Sequence, residues 1–245
     1  MTQFRLTLEY DGANYSGWQL QSGQDSIQAR LEAALAQLFG APLRVYGAGR
    51  TDAGVHALGQ VAAFRAPRPF DCAELRRALN AILPPDIAVR EAAAVGDDFD
   101  PRRAARSRVY EYRILNRTTR SALDYRYAWL VREPLDLDAM GLAAARFVGE
   151  QDFAALRTAG SEEKTTVRRV YASEWRRAGD DRLIYRVEAT AFLRHMVRTM
   201  VALMVAIGQH RIAPDAVGAI LQSRDRARAP AAAPACGLFL VEVRY

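Results

Sequence analysis

Apolar and polar positions alternate from the first residues of the chain. Phe4, Leu6, Leu8 and Tyr10 are separated by Arg5, Thr7 and Glu9, a period of two that reads as a half-buried strand ending at Asp11-Gly12. Ala13 to Gly23 shows no period and reads as an irregular loop carrying Tyr15, Trp18, Gln19 and Gln21. The period then lengthens: Ile27, Leu31, Leu35 and Leu38 share one helical face behind the cap Asp25-Ser26, and Gly40 ends the run. Leu43 to Tyr46 and Val61 to Phe64 read as strands. Asp71 and Glu74 form a capping box for a helix reaching Leu83, Pro84-Pro85 stops it, and Ile87 to Val95 reads as a strand. The order strand, helix, strand, strand, helix, strand predicts a ferredoxin-like α+β unit.

The second half repeats these element types without a residue-level repeat. A strand runs through Val109 to Ile114, and Tyr125, Tyr127 and Trp129 alternate in a strand-like stretch. Asp136 to Gly149 reads as a helix, and Thr158 to Thr166 as a polar, mobile loop. Val167 to Trp175 and Leu183 to Ala191 form a hairpin across Gly179-Asp180. Phe192 to Gly208 is a strongly apolar helix broken on one face by Arg194, His195 and Arg198; Pro214 opens a short helix, and Gly237 to Val243 closes the chain as a strand. The expectation is an α+β protein of two halves, 1–105 and 106–245, with antiparallel sheets flanking a central cleft.

Composition narrows the partners. At 245 residues the chain can bury a substantial core, and a formal charge of +6 with a pI near 9.6 favours an anionic partner. Lys164 is the sole lysine, so the positive charge is arginine, which suits bidentate phosphate contacts; genomic base composition explains most of that bias. Cys72 and Cys236 match no metal-ligand or redox spacing, which points to a reduced, cytoplasmic setting. Met1 to Leu8 alternates and contains Arg5, so no secretory leader is read there, and the greasy run Met200 to Ile207 is too short to span a bilayer.

Three stretches carry candidate chemistry. In Gly47 to Ala57, with Gly59 just beyond, four glycines let the backbone turn and let another molecule approach closely around Arg50 and Asp52. The glycine spacing fits neither a dinucleotide fingerprint nor a P-loop. A polar turn capped by Asp52 competes with an ionised carboxylate presented to a substrate. Arg102, Arg103, Arg106 and Arg108 form the densest basic run, ordinarily a solvated face, but here leading straight into the Tyr110 strand, where phosphates can be gripped and a base stacked. Arg198 among Phe192, Leu193, Met196, Val197 and Met200 is costly unless paired; the alternative is an arginine snorkelling at the helix surface.

The sequence G-R-T-D-A-G-V-H-A from Gly49 to Ala57, followed by Gln60, resembles the active-site motif of the TruA family of tRNA pseudouridine synthases, and nearly the whole chain shares the likeness. The resemblance implies the pseudouridine synthase fold and isomerisation of uridine to pseudouridine in the anticodon stem-loop of tRNA, at positions 38 to 40. It implies no metal and no cofactor, since the reaction needs neither redox chemistry nor group transfer, and a homodimer that binds tRNA across both subunits. Asp52 then matches the essential aspartate, acting as nucleophile at C1′ or as base at C2′. Arg198, in F-L-R-H-M-V-R, matches the arginine that contacts it, and Arg50 the one that acts in base flipping. Tyr110 matches the tyrosine stacked on the target uracil, and Leu238, in G-L-F-L-V-E-V, the apolar cover on its other face. Arg102 and Arg103 supply charge for the RNA. Asp100 and Pro101 depart from the pattern, which usually has histidine after Phe99. A non-catalytic RNA-binding protein on the same scaffold, or a pseudouridine synthase for another RNA, are the competing readings; an acidic group facing a polyanion argues against the first.

Overall fold

In the computed structural model, which describes residues 1–158 and 165–245, the N-terminal alternation is the strand β1 (Thr2–Tyr10), with Phe4, Leu6, Leu8 and Tyr10 buried. It is followed by α1 (Ile27–Phe39), β2 (Val45–Gly47), β3 (His56–Ala66), α2 (Cys72–Ile82) and β4 (Ile87–Val95). Ser26 caps α1 by accepting from Ala29 N–H, and Gly40 ends it at φ +71°. The Asp71 carboxylate does the same for α2 at Glu74 N–H, 2.9 Å away. β1 lies between β4 and β3, and β2 pairs with the far half of β3, all antiparallel. This is the ferredoxin-like order, each helix crossing over the strand between the two it connects.

One boundary differs from the sequence expectation. β3 starts at His56, five residues before the apolar run Val61 to Phe64. Ala57, Leu58, Gly59 and Gln60 have no alternating signature, but Tyr10 pairs with Ala57 and Leu8 with Gln60 in the ladder. Backbone pairing extends the strand where side-chain pattern is silent.

The chain divides into two compact units, Met1–Arg106 with Phe239–Tyr245, and Ser107–Leu238. The second holds β5 (Ser107–Asn116), β6 (Trp129–Val131), α3 (Leu137–Ala145), β7 (Gly149–Asp152), β8 (Val167–Arg177), β9 (Arg182–Ala189), α4 (Met196–Gly208) and α5 (Ala216–Ser223). Its sheet runs β5-β9-β8-β7 with antiparallel neighbours, and β6 lies parallel to the end of β5. The last strand, β10 (Leu238–Arg244), belongs to the first unit from Phe239 onward and runs parallel to β3, with Phe239 opposite His56 and Leu240 opposite Ala57.

Three expectations shift in this unit. The helix expected over Asp136 to Gly149 stops at Ala145, and Gly149, at φ +106°, opens β7 instead. Tyr125 to Tyr127 is a turn closed by Tyr127 N–H donating to Asp124 O (2.8 Å), behind a Ser121 Oγ that accepts from Leu123 and Asp124 N–H, and these local bonds override the alternation. The apolar helix begins at Met196, because His195 sits at φ +63° and breaks the helical run before it. Most of the polar stretch Thr158 to Thr166 lies outside the described residues. No described helix is long and apolar enough to cross a membrane.

Candidate active site

The residues from Ala48 to Val55 join β2 to β3 as an arch pinned at both feet. Ala48 N–H donates to Val61 O (2.8 Å), Gln60 Nε2 to Gly49 O (2.9 Å), and Val55 N–H to Asp52 O (3.1 Å). Gly54 takes φ +76°, the left-handed turn that returns the chain to β3. At the crown, burial alternates: Arg50 is exposed, Thr51 buried and Asp52 half-buried. Thr51 faces inward, its Oγ1 2.8 Å from Tyr10 Oη and its carbonyl accepting from Trp18 N–H (3.0 Å). With Thr51 fixed below, its neighbours are turned toward solvent, and the Asp52 carboxylate is presented without being submerged.

The support beneath the arch is aromatic and buried. Tyr10 and Trp18 pack with ring centroids 6.3 Å apart, and both are almost fully covered. Burial pushes the Tyr10 phenol up to about 12, against the hydrogen bonds to Thr51 and Gln60, so it is a neutral partner for Thr51 near neutral pH. The loop between β1 and α1 closes the side: a Cβ on Gly17 would lie 2.5 Å from Thr51 O, and one on Gly12 2.0 Å from Val55 O. His56 Nδ1 is 3.1 Å from Gly12 N and 3.0 Å from Asp11 Oδ1, and its ring stacks on Phe239 at 4.7 Å. Buried and packed in this way, His56 holds the exit of the arch.

At Gly47 and Gly59 the missing side chain serves something other than the close approach of a foreign molecule. A Cβ on Gly47 would meet Trp18 Nε1 at 2.6 Å, and one on Gly59 would meet Val241 O at 2.3 Å. Both make room for the protein's own indole and last strand. Gly49 has open space and an ordinary backbone.

Arg102 and Arg103, also in the first unit, ride a turn built by Asp100. Its Oδ1 accepts from Arg102 N–H (2.8 Å) and Arg103 N–H (3.0 Å), and these bonds, that from Arg103 foremost, hold its carboxyl below the usual range. Pro101 O accepts from Tyr245 Oη (3.0 Å), and the Phe99 ring packs on Tyr245. The two residues that depart from the family pattern thus shape the turn that carries the arginines. Both arginines are exposed, and Arg103 Nε is 3.6 Å from Asp100 Oδ2.

In the second unit, Tyr110 lies on β5 opposite Val187, 9% exposed, with its ring edge-on to Phe192 at 5.1 Å. Tyr112, two residues on, is fully buried and donates to Pro234 O (2.8 Å), and burial drives its phenol well up. Arg198 is the single residue of α4 that is not buried. It is clamped twice by Ala233: Nε donates to Ala233 O (2.6 Å), and Ala233 N–H donates to Arg198 O (3.1 Å). Its charge acts on Tyr112 and on Cys236, whose thiol burial nevertheless pushes up. Leu238, buried, ends the short segment that starts at Ala233. His195 Nδ1 is 2.7 Å from Thr158 Oγ1.

The structure thus groups Arg50, Asp52, Arg102 and Arg103 in one unit and Tyr110, Arg198 and Leu238 in the other. Sequence reading missed Tyr10 and Trp18, which set the arch, and Ala233, which fixes Arg198; it placed Gln60 beside the motif without a role. Tyr10 reads simply as the last apolar position of a strand, and nothing local in Ala233 marks it. Among the described residues no group of three or more His, Cys, Asp or Glu side chains is placed to hold a metal ion.

Comparison with known proteins agrees along the whole length. A family model described as tRNA pseudouridine synthase matches residues 7–102 and 143–245. The chain is 46% identical over its full length to tRNA pseudouridine synthase A of Myxococcus xanthus, covering 92% of that protein. It is 44% identical to the enzyme of the same name from Geotalea uraniireducens (strain Rf4) and 45% to that from Geobacter sulfurreducens, each covered end to end. Among solved structures, the archaeal box H/ACA sRNP Nop10-Cbf5 complex overlaps 84% of this chain and 44% of its own at a TM-score of 0.40 and 11% identity, too slight a likeness to carry weight.

Proposed function

Because the chain belongs to the tRNA pseudouridine synthase family, whose members isomerise uridine in tRNA, we propose that it converts uridines 38 to 40 of the anticodon stem-loop to pseudouridine through Asp52. The full-length likeness to tRNA pseudouridine synthases A carries this reading. The arch geometry supports it: a half-buried carboxylate held between two turns, with an exposed arginine two residues before it. In the reaction the C1′–N1 bond breaks, the uracil turns, C5 joins C1′, and the C5 proton is lost while N1 gains one. Asp52 supplies the reacting carboxylate, as nucleophile at C1′ or as base at C2′. Either role needs the ionised form, for which Arg198 is the countercharge. Tyr110 stacks on the uracil and Leu238 covers its other face, while Arg50 acts on the nucleotide as it leaves its stem and Arg102 and Arg103 hold phosphates. The protein works in the cytoplasm as a homodimer; sedimentation of the free protein checks the oligomer.

The deciding experiment is tritium release from C5-tritiated uridine in a tRNA transcript. Wild type releases tritium, and Asp52→Asn loses at least about a hundredfold of the rate, the lower end of what a reacting carboxylate supplies. Release by Asp52→Asn at the wild-type rate would remove Asp52 from the chemistry. A wild type inactive on every tRNA but able to bind it would favour the RNA-binding reading.

A further inference from the structure

The eleven residues Arg117–Tyr127, between β5 and β6, lie outside the two stretches matched by the family model and contain no helix or strand. They are nonetheless firmly built. Arg117 donates from Nε to Thr119 O (2.8 Å), from Nη2 to Arg120 O (3.3 Å) and from Nη1 to Asp181 Oδ2 (2.9 Å), which ties the segment to itself and to the turn between β8 and β9. Ser121 Oγ accepts from Leu123 and Asp124 N–H, and Tyr127 N–H donates to Asp124 O (2.8 Å). Arg182 Nη2 holds Asp124 Oδ2 at 2.8 Å.

The polar groups thus fix the backbone without help from the apolar side chains, and those point outward. Leu123 is 84% exposed and Tyr125 63%. The Arg126 guanidinium lies 5.9 Å from the Tyr125 ring centroid. Single exposed apolar residues are commonplace. A pinned loop that displays two of them beside an excess of arginine is less so. Arg117, Arg120 and Arg126 stand against Asp124 within the segment, and Arg176, Arg177 and Arg182 against Asp180 and Asp181 at the hairpin that anchors it. The carboxylates Asp124 and Asp181 already face arginines, whereas Arg120 and Arg177 are exposed with no ion pair among the described residues.

We propose that Arg117–Tyr127 is a second contact for the RNA, a preformed platform on which Tyr125 and Leu123 receive an unpaired base while Arg120 and its neighbours hold the flanking phosphates. The positive surplus selects a polyanion over a protein surface, whose buried centre would be poor in charge. An aromatic ring next to guanidinium groups is the combination that stacks and grips single-stranded nucleotides. This rests on the RNA substrate proposed above and extends it to a site remote in sequence from the Asp52 arch.

The test is filter binding of an unmodified, full-length tRNA transcript at fixed salt, with turnover measured separately at saturating tRNA. Leu123→Ala combined with Tyr125→Ala should raise Kd at least about fivefold, since removing one stacked base costs on that order. Tyr125→Phe, which keeps the ring, should stay within about twofold of wild type. All three proteins should turn over saturating tRNA at the same rate and sediment alike. A Kd unchanged in the double variant overturns the proposal, and so does a loss of affinity that accompanies dissociation of a protein oligomer, which would make the loop a protein contact. Binding that depends on Tyr125 in a wild type that forms no pseudouridine supports the platform and overturns the reaction instead.

Discussion

The hydrogen bond between Tyr10 Oη and Thr51 Oγ1 offers the sharpest test of how the Asp52 arch is held. The two atoms are 2.8 Å apart, and both residues are buried, Tyr10 3% and Thr51 7% exposed. With its phenol pushed up to about 12, Tyr10 is neutral in any assay near neutral pH, so Tyr10→Phe removes a hydroxyl and no charge. It leaves Thr51 Oγ1 without that partner in a dry setting, at a cost of about 1–2 kcal/mol. Thr51→Val, close in shape, leaves the Tyr10 hydroxyl with Gln60 as its remaining partner and costs about 1 kcal/mol. Removing both partners together costs little beyond either single change, so a double-mutant cycle should show a coupling of about 1–2 kcal/mol. Urea denaturation of the four proteins measures it, with coincident transitions by fluorescence and circular dichroism as the check on two-state behaviour. Tritium release adds the functional side. A crown that loses its inward anchor presents Asp52 less often, and kcat should fall up to about tenfold with KM for tRNA little changed. Additive costs, with a coupling below about 0.5 kcal/mol, would refute the claim that this bond holds the arch. Unchanged kcat in both single variants would show that the arch needs no anchor for its chemistry.

Asp100 should give a local pH signature. Its native carboxyl is held below its unfolded value of 3.8, so the turn is favoured above that pH and loses its cap as pH falls through the lower native value. The amide resonances of Arg102 and Arg103 should titrate below about pH 4 in wild type and stay flat in Asp100→Asn; titration in both would put the cause elsewhere. The arginines on that turn should appear in the salt dependence of binding. Arg102→Ala with Arg103→Ala should flatten the slope of log Kd against log salt by about 1.5, the release expected for two phosphate contacts, and an unchanged slope would mark them as ordinary solvated side chains.

The fold was legible where periodicity and caps coincide. β1 fell where alternation put it, β4 followed the Pro84-Pro85 stop as expected, and α1 and α2 began at the capping residues Ser26 and Asp71, because burial and capping there are local decisions. What escaped depends on partners distant in sequence. The start of β3 is set by Tyr10, Leu8 and Phe239, none of which leaves a trace in the residues it pairs with. The stretch Tyr125 to Tyr127 alternates like a strand, yet the bond from Tyr127 N–H to Asp124 O, with Asp124 itself held by the Ser121 hydroxyl, makes it a turn. Arg198 is a case between the two. Composition alone posed the choice between a paired and a snorkelling arginine; the structure leaves it partly exposed on an otherwise buried helix, its backbone and side chain both fastened to Ala233.

The glycine-rich arch shows how a motif can mislead about its own construction. The glycines invited the thought of a substrate pressing against bare backbone. At Gly47 and Gly59 the space is already filled, by Trp18 and by the Val241 carbonyl, and at Gly12 and Gly17 the neighbour's own loop presses on the arch. Any side chain at these positions would push the arch away from its supports before it touched a ligand. The glycines therefore specify how tightly the first unit packs around Thr51, and the exposed Arg50 and half-buried Asp52 follow from that packing. A sequence shows small residues and a carboxylate close together; the fold shows that Gly12, Gly17, Gly47 and Gly59 serve the scaffold.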